Sequence, residues 1–311
     1  MKKRLLFFLL VLGLSPSLYA DPAGKTRSFH FAVMNPPALG SDIPLQTETD
    51  RTHPQQIAFV VVNGVRAKNE PCTDSLYLEQ KKRFEESGAP LFLSPVGSDW
   101  IGCKSEDGED IRIERLQRLR EIFFEQDTSF GITDIPLFRQ SLVARYRHFP
   151  ENTSWRHGAV LFATLHLPAD NNHYLDAAGR NNEFEERLVA NRHWLQRIFT
   201  LAKRDKLAGI VIFCDGNPFE NQASRKTASR DGFREIRQQM TKLAGNFPGK
   251  ILIIHRATEQ KKPAIAWKNN LGLAAAGATW LEIGVNPDSR SLFSIEKFPA
   301  AKKQKRAEND T

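Results

Sequence analysis

Short apolar runs recur along the chain: FHFAVM (29–34), IAFVVV (57–62), LFL (91–93), AVLFATLH (159–166), GIVIF (209–213), ILIIH (251–255), TWLEIG (279–284) and LFSIE (292–296). The first three, GIVIF and ILIIH are continuous apolar runs, the pattern of strands covered on both faces. The last two carry some alternation and read as a half-exposed antiparallel pair. VNPDSR between them reads as the hairpin turn.

Helical stripes fill the intervals. One helix is expected over 76–87. In IRIERLQRLREIFF, Ile113, Leu116, Leu119 and Phe123 share a face. Phe184, Leu188, Leu195 and Ile198 form the stripe of a long helix ending near Lys206. Phe233, Ile236, Met240 and Leu243 form another, stopped by GNFPG. These stripes are core faces rather than cofactor sites. The chain has no internal repeat, and its alternation of strand and helix predicts an α/β layered domain. Residues 128–152, with Pro136 and Pro150, lack periodicity and read as an excursion over the surface, a type of loop that often covers a site. Asn152-Thr153-Ser154 is formally a glycosylation sequon.

Composition sets the boundaries. Lys2, Lys3 and Arg4, the apolar LLFFLLVLGL and the small residues of SLYA form a secretory signal peptide over 1–20. Its removal leaves 311 − 20 = 291 residues. One domain over 21–298 is expected, followed by a disordered basic tail over 299–311. The net charge of +8 falls to 8 − 3 = +5 after cleavage, with part of that in the tail. The excess therefore implies no specific nucleic acid, only attraction to anionic ligands or surfaces. No later segment is apolar enough to cross a membrane. The expected location is periplasmic or extracellular, where disulfides form. Of the three cysteines, Cys72 and Cys103 sit in loops after predicted strands, and Cys214 ends an apolar run. A Cys72–Cys103 bridge is favoured over the other two pairings.

Candidate chemistry gathers at the strand ends, where α/β sheets bind ligands. MNPPAL brings Asn35, NGVRAKNEPCTD brings Asn63 and Gly64, PVGSDW brings Ser98 and Asp99, and CDGNPF brings Asp215 and Asn217. His255 ends ILIIH, with Glu259 nearby. Arg66, Lys68 and Arg256 sit near the same edge and could bind an anion by direct charge. No nucleophile elbow, P-loop or dinucleotide fingerprint is present. His166, Asp170 and His173 in LHLPADNNH could be zinc ligands, but a polar loop after a strand is the stronger reading.

PVGSDWIGC resembles the PGxNEWxDC segment of secreted calcineurin-like metallophosphoesterases. The resemblance extends through FVVVNGVRAKNEPCTDSLY, RLQRLREIFF, PLFRQS, FPENTSW, VLFATLHLPADNN, CDGNPFE and ILIIH. It implies an α/β/β/α sandwich with two mixed sheets and, in most members, two metal ions bridged by a carboxylate that clamp a phosphate and activate water. Carried over by position, the first metal-binding aspartate falls on Asn35, the bridging aspartate on Gly64 and the motif asparagine on Ser98. A polar ligand falls on Asp215 or Cys214. The closing His-Gly-Asp-x-His falls on His255, Arg256, Ala257, Thr258 and Glu259.

These replacements imply that no intact metal site remains. The expected function is a catalytically degenerate member whose pocket binds an anionic or phosphorylated ligand, or a protein partner. Two alternatives stand beside it. One is a phosphoester hydrolase with one divalent metal held by Asp215, His255, Glu259 and Asn35. The other is an interaction protein with no small ligand.

Overall fold

A computed structural model describes residues 27–36, 57–67, 69–176, 179, 181–220, 230–257, 262–277 and 280–296. The expected signal peptide, the basic tail, Lys68 and Glu259 lie outside them.

The described residues form two mixed sheets and four helices. The first sheet has the order β12-β11-β1-β2-β3. Its strands are β1 (Phe29–Met34), β2 (Ile57–Asn63), β3 (Leu91–Ser94), β11 (Leu281–Val285) and β12 (Phe293–Ile295). β1, β2 and β3 run parallel, and β11 and β12 are antiparallel additions. The second sheet has the order β4-β5-β6-β7-β8-β10-β9. It contains β4 (Phe138–Arg139), β5 (Thr153–His157), β6 (Val160–Thr164), β7 (Gly209–Cys214), β8 (Lys250–Arg256), β9 (Ile265–Lys268) and β10 (Leu271–Ala276). The helices are α1 (Asp74–Glu85), α2 (Arg112–Phe123), α3 (Asn182–Arg204) and α4 (Arg234–Gly245).

The pleat of each strand sends alternate side chains to opposite faces. From β1 and β2, Phe31, Val33, Phe59 and Val61 enter a layer shared with Phe162, Val211, Phe213, Leu252 and Ile254 of the second sheet. Ala32, Met34, Val60 and Val62 point the other way, into a layer that includes Leu76, Phe84, Leu119 and Phe123 of α1 and α2. Ile210, Ile212, Ile251 and Ile253 do the same toward α3 and α4. Three apolar layers therefore separate four layers of structure in the order α/β/β/α. The continuous apolar runs follow from this, because both faces of the central strands are covered.

Several expectations change in detail. β11 is buried throughout rather than half-exposed. Leu281, Ile283 and Val285 enter the layer between the sheets, and on the other face its one charged residue, Glu282, accepts a 2.7 Å hydrogen bond from His30 Nδ1. Ile113 is 54% exposed. The packed face of α2 begins at Arg115 and runs through Leu116, Leu119, Ile122 and Phe123. The stretch 128–152 contains β4 and two short 3-10 turns. Strands β5, β9 and β10 carry too few large apolar residues to signal themselves.

Cys72 and Cys103 form a disulfide across a separation of 31 residues, with Cα atoms 5.8 Å apart. It fastens the loop after β2 to the loop after β3. Cys214 is a buried free thiol, and burial raises its pKa beyond the ordinary range. Loop-closure entropy assigns the bridge about 3–4 kcal/mol. Replacing both bridged cysteines by serine is expected to lower stability by about that amount in chemical denaturation. Cys214 should resist thiol reagents until the protein unfolds. Ready labelling of Cys214 in the native state would contradict this packing.

Candidate functional site

The site is the continuation of the inter-sheet layer. Following the pleat past the last apolar residue, the next inward positions are Asn35 after Val33, Asn63 after Val61, and Ser94 after Phe92. On the other sheet they are Asp215 after Phe213 and Arg256 after Ile254. Asn63 and Ser94 are register partners on adjacent parallel strands, and Met34, just before Asn35, pairs with Val62. A row of polar residues thus caps the apolar layer at the carboxyl ends of the strands.

Three hydrogen bonds cross from one sheet edge to the other. Asn35 Nδ2 donates to the Gly277 carbonyl at 3.0 Å. The Gly97 amide donates to Asp215 Oδ2 at 2.8 Å. Arg256 Nη1 donates to Ser98 Oγ at 2.8 Å, and the same nitrogen lies 3.9 Å from Asp215 Oδ1. Asp215 Oδ2 also accepts from the Ala169 amide at 2.9 Å. Burial raises the pKa of Asp215, opposed by the Gly97 amide, the Arg256 charge and the Ala169 amide. Asn35 Oδ1, Asn63 Nδ2, Ser94 Oγ and Asp215 Oδ1 are closed to solvent and accept or donate no hydrogen bond among the described residues.

Gly64 has a backbone φ of +91°, which favours glycine, and a Cβ there would lie 2.6 Å from Val96 Cγ2 and 2.9 Å from Asp99 Oδ1. The space beside it is taken by the Asp99 carboxylate. That carboxylate accepts from the Val65 and Val96 amides, each at 3.0 Å, and pins the two loops together. Asp99 is fully buried. Burial pushes its pKa up to about 6 despite those amides and the Arg256 and Arg66 charges. Arg66 Nη1 donates to the Glu70 carbonyl, which turns it toward its own loop.

His255 belongs to β8, but its pleat position is the one shared with Ile251 and Ile253. That places it on the helix-facing side, opposite Arg256. Its Nδ1 lies 3.1 Å from the Arg256 carbonyl oxygen. The structure thus joins Ser98, Asp215 and Arg256 directly, sets Asn35 at the carboxyl end of β1 with its side chain on the Gly277 carbonyl, keeps Gly64 against Asp99, and directs His255 elsewhere. Asn63, read at its strand end from the sequence, lies in this row, and Ser94 escaped the sequence reading. The signal for Ser94 was present, since it is two positions beyond the inward Phe92.

A second polar group lies beneath this edge. Glu151 Oε1 is 2.6 Å from Arg120 Nη2 and 2.9 Å from His166 Nδ1. Trp100 Nε1 donates to His166 Nε2 at 3.2 Å, so the proton of the ring sits on Nδ1 and the imidazole is neutral. Burial lowers the pKa of His166. Burial alone would raise the Glu151 carboxyl, but the Arg120 charge and the His166 bond overcome it and hold it down at about 2. His173 stacks edge-on against Trp100 at 4.9 Å. No group of three or more His, Cys, Asp or Glu among the described residues is arranged to hold a metal ion. Asn152 is fully buried; its amide bonds Gln140 and Asn191 at 2.7 and 2.9 Å, so the sequon offers no accessible acceptor.

No model of a known protein family matches the chain, and no curated protein matches its sequence.

The buried carboxylates give the protein a pH signature. Asp99 has a folded pKa of about 6 against the ordinary carboxyl value of 3.8. The folded state therefore binds its proton more tightly, and stability falls as pH rises from about 4 through about 6. Asp215 acts in the same direction. Glu151 acts in the opposite direction, because its folded pKa of about 2 lies below the ordinary value of 4.5 and its contribution is lost as pH falls through that window. For these carboxyls together, stability is expected to be highest near pH 4. Asp99→Asn should flatten the decline between pH 4 and 6, whatever its absolute stability. An unchanged slope in Asp99→Asn would contradict the assignment.

Proposed function

We propose that this chain is an exported domain of the calcineurin-like metallophosphoesterase type in which a guanidinium stands where relatives hold metal ions. On this reading the cleft recognises an anion, of phosphate type, and does not hydrolyse it. The observation that carries the proposal is the position of Arg256. Its side chain links Ser98 and lies near Asp215, two of the positions that the resemblance assigns to metal ligands.

The residues do not fit a pair of divalent metals. Gly64 brings no bridging carboxylate, and Val96 and Asp99 of the loop after β3 leave no room for a side chain there. Asn35 offers a neutral oxygen and Ser98 a hydroxyl already used by Arg256. A cation placed 4 Å from the guanidinium would be opposed by about 4 kcal/mol per unit charge at an effective dielectric constant near 20. The guanidinium itself suits a phosphate, because it is fixed in charge and presents several donors in a plane. Asp215 offsets part of that charge, and the two raised carboxyl pKa values reduce the repulsion felt by an arriving anion as pH falls. The α/β/β/α order of layers, the disulfide and the apolar leader agree with the family type and with export.

Isothermal titration with inorganic phosphate tests this reading. Binding is expected to strengthen from pH 7 to pH 5.5 and to weaken about tenfold or more in Arg256→Ala. Aryl phosphomono- and diesters should show no turnover above background with manganese, zinc, iron or magnesium. Metal-dependent turnover that disappears in His255→Ala would overturn the proposal in favour of a single-metal hydrolase. Phosphate binding unaffected by Arg256→Ala would overturn the role given to Arg256.

A further inference from the structure

His166 follows β6 and is fully buried. Each of its polar atoms is held. Its amide donates to Asn152 Oδ1 at 2.8 Å, and its carbonyl accepts from Asn191 Nδ2 at 2.8 Å. In the ring, Nδ1 donates to Glu151 Oε1 at 2.9 Å and Nε2 accepts from Trp100 Nε1 at 3.2 Å. Glu151 is itself clamped by Arg120, whose Nε and Nη2 donate to its two oxygens at 3.0 and 2.6 Å. A carboxylate that fixes one imidazole nitrogen as the donor leaves the other as an acceptor. Burial lowers the pKa of the ring, which keeps that acceptor free of a proton.

The bond to Trp100 ties the two sheets together at the cleft. Trp100 lies in the loop after β3 of the first sheet, and His166 in the loop after β6 of the second. Asp215 Oδ2 accepts from two backbone amides, Gly97 at 2.8 Å and Ala169 at 2.9 Å. Gly97 opens the turn that ends on Trp100, whose amide donates to the Gly97 carbonyl at 3.2 Å, with the Ile101 amide on the same carbonyl at 2.8 Å. Ala169 stands a short step beyond His166 along its own loop. Both donors to Asp215 therefore come from loops that His166 fastens, one through its ring and one through its backbone. The loops also touch, since a Cβ on Gly97 would lie 3.1 Å from Pro168 Cβ and 3.4 Å from Asp215 Oδ2. Past Ala169 the chain enters a left-handed turn, with φ of +46°, +55° and +52° at Asn171, Asn172 and His173. Such a run is costly without glycine. It is kept by buried partners: Arg187 Nη2 donates to the Asn172 carbonyl at 2.9 Å, and Asn172 Nδ2 donates to the Gly232 carbonyl at 2.9 Å. The loop that carries Ala169 is thus anchored at both ends.

We propose that His166 is a positioning residue of the cleft. Its ring, oriented by Glu151, holds Trp100 so that the Gly97 amide meets Asp215, and its backbone sets the loop whose Ala169 amide completes the pair. With both amides on Oδ2, the Asp215 carboxylate is fixed with Oδ1 toward Arg256. The consequence for anion binding rests on the reading of Arg256 given above.

Amide hydrogen exchange followed by NMR tests the inference, with titration of inorganic phosphate beside it. Trp100→Phe removes the donor to His166. The Gly97 amide is then expected to exchange about tenfold faster or more, while the Ala169 amide keeps its protection. Release of both amides together would reduce His166 to a structural residue and overturn the inference. Two replacements of the ring separate its nitrogens. A glutamine carbonyl reaches the Nε2 position and accepts from Trp100, so His166→Gln should retain the protection of Gly97. An asparagine amide reaches only the Nδ1 position, so His166→Asn should release Gly97 as Trp100→Phe does. Phosphate affinity should follow Gly97, falling about tenfold or more in Trp100→Phe and His166→Asn and staying near wild type in His166→Gln. Equal behaviour of the glutamine and asparagine variants would overturn the inference, as would unchanged Gly97 exchange in Trp100→Phe. Phosphate affinity that ignores the release of Gly97 would overturn it too. A wild type that binds no phosphate would overturn the reading of Arg256 alone, and Gly97 exchange would still decide the role of His166.

Discussion

Phe59 stands at the centre of the contact between the two sheets. Its ring meets Phe31 at 5.3 Å, Phe92 at 5.2 Å, Trp155 at 5.6 Å and Phe162 at 4.9 Å, drawing on three strands of the first sheet and two of the second. Burying each such side chain contributes roughly 1.5–3 kcal/mol, so this layer holds the sheets face to face and fixes which residues look inward. At the carboxyl ends the apolar residues run out while the pleat continues. The inward positions there fall to Asn35, Asn63, Ser94, Asp215 and Arg256. Their meeting is a consequence of the packing below them.

Once polar groups occupy that edge, their charges must be balanced. Breaking a buried pair so that one charge is left alone typically costs 3–5 kcal/mol. Asp215 has two backbone amides and the Arg256 guanidinium to offset it. Asp99 has two amides and stands at the closed side of the Gly64 turn. The result is an internally compensated edge in which the fixed cation is part of the protein. That arrangement suits recognition of an anion, which can exchange for one of the Arg256 contacts. It does not suit a reaction that needs the cation to supply an activated water.

Much of the fold was legible because β1, β2, β3, β7 and β8 are covered on both faces and read as unbroken apolar runs. The disulfide was legible for a related reason, since parallel neighbours β2 and β3 bring their following loops side by side. β5 was not legible, because Trp155 is the only large apolar residue in TSWRH. β10 builds its strand from Gly272 and alanines, with Leu271 and Leu273 alone on the helix side. In the site, one residue of parity separates Arg256 from His255, and a strand shifted by one exchanges its faces. The Glu151–His166 pair joins residues on either side of the β5–β6 hairpin, a contact that no local pattern announces. The burial of Glu282 has no local signal, because its partner, His30, lies 252 positions away.

The proposed function rests on the guanidinium between Ser98 and Asp215, two positions to which the resemblance assigns metal ligands. Anomalous scattering from crystals soaked in manganese measures this directly. The account predicts Arg256 density joining Ser98 to Asp215 and no manganese peak there. A manganese peak coordinated by Asp215, with Arg256 turned away, would contradict it.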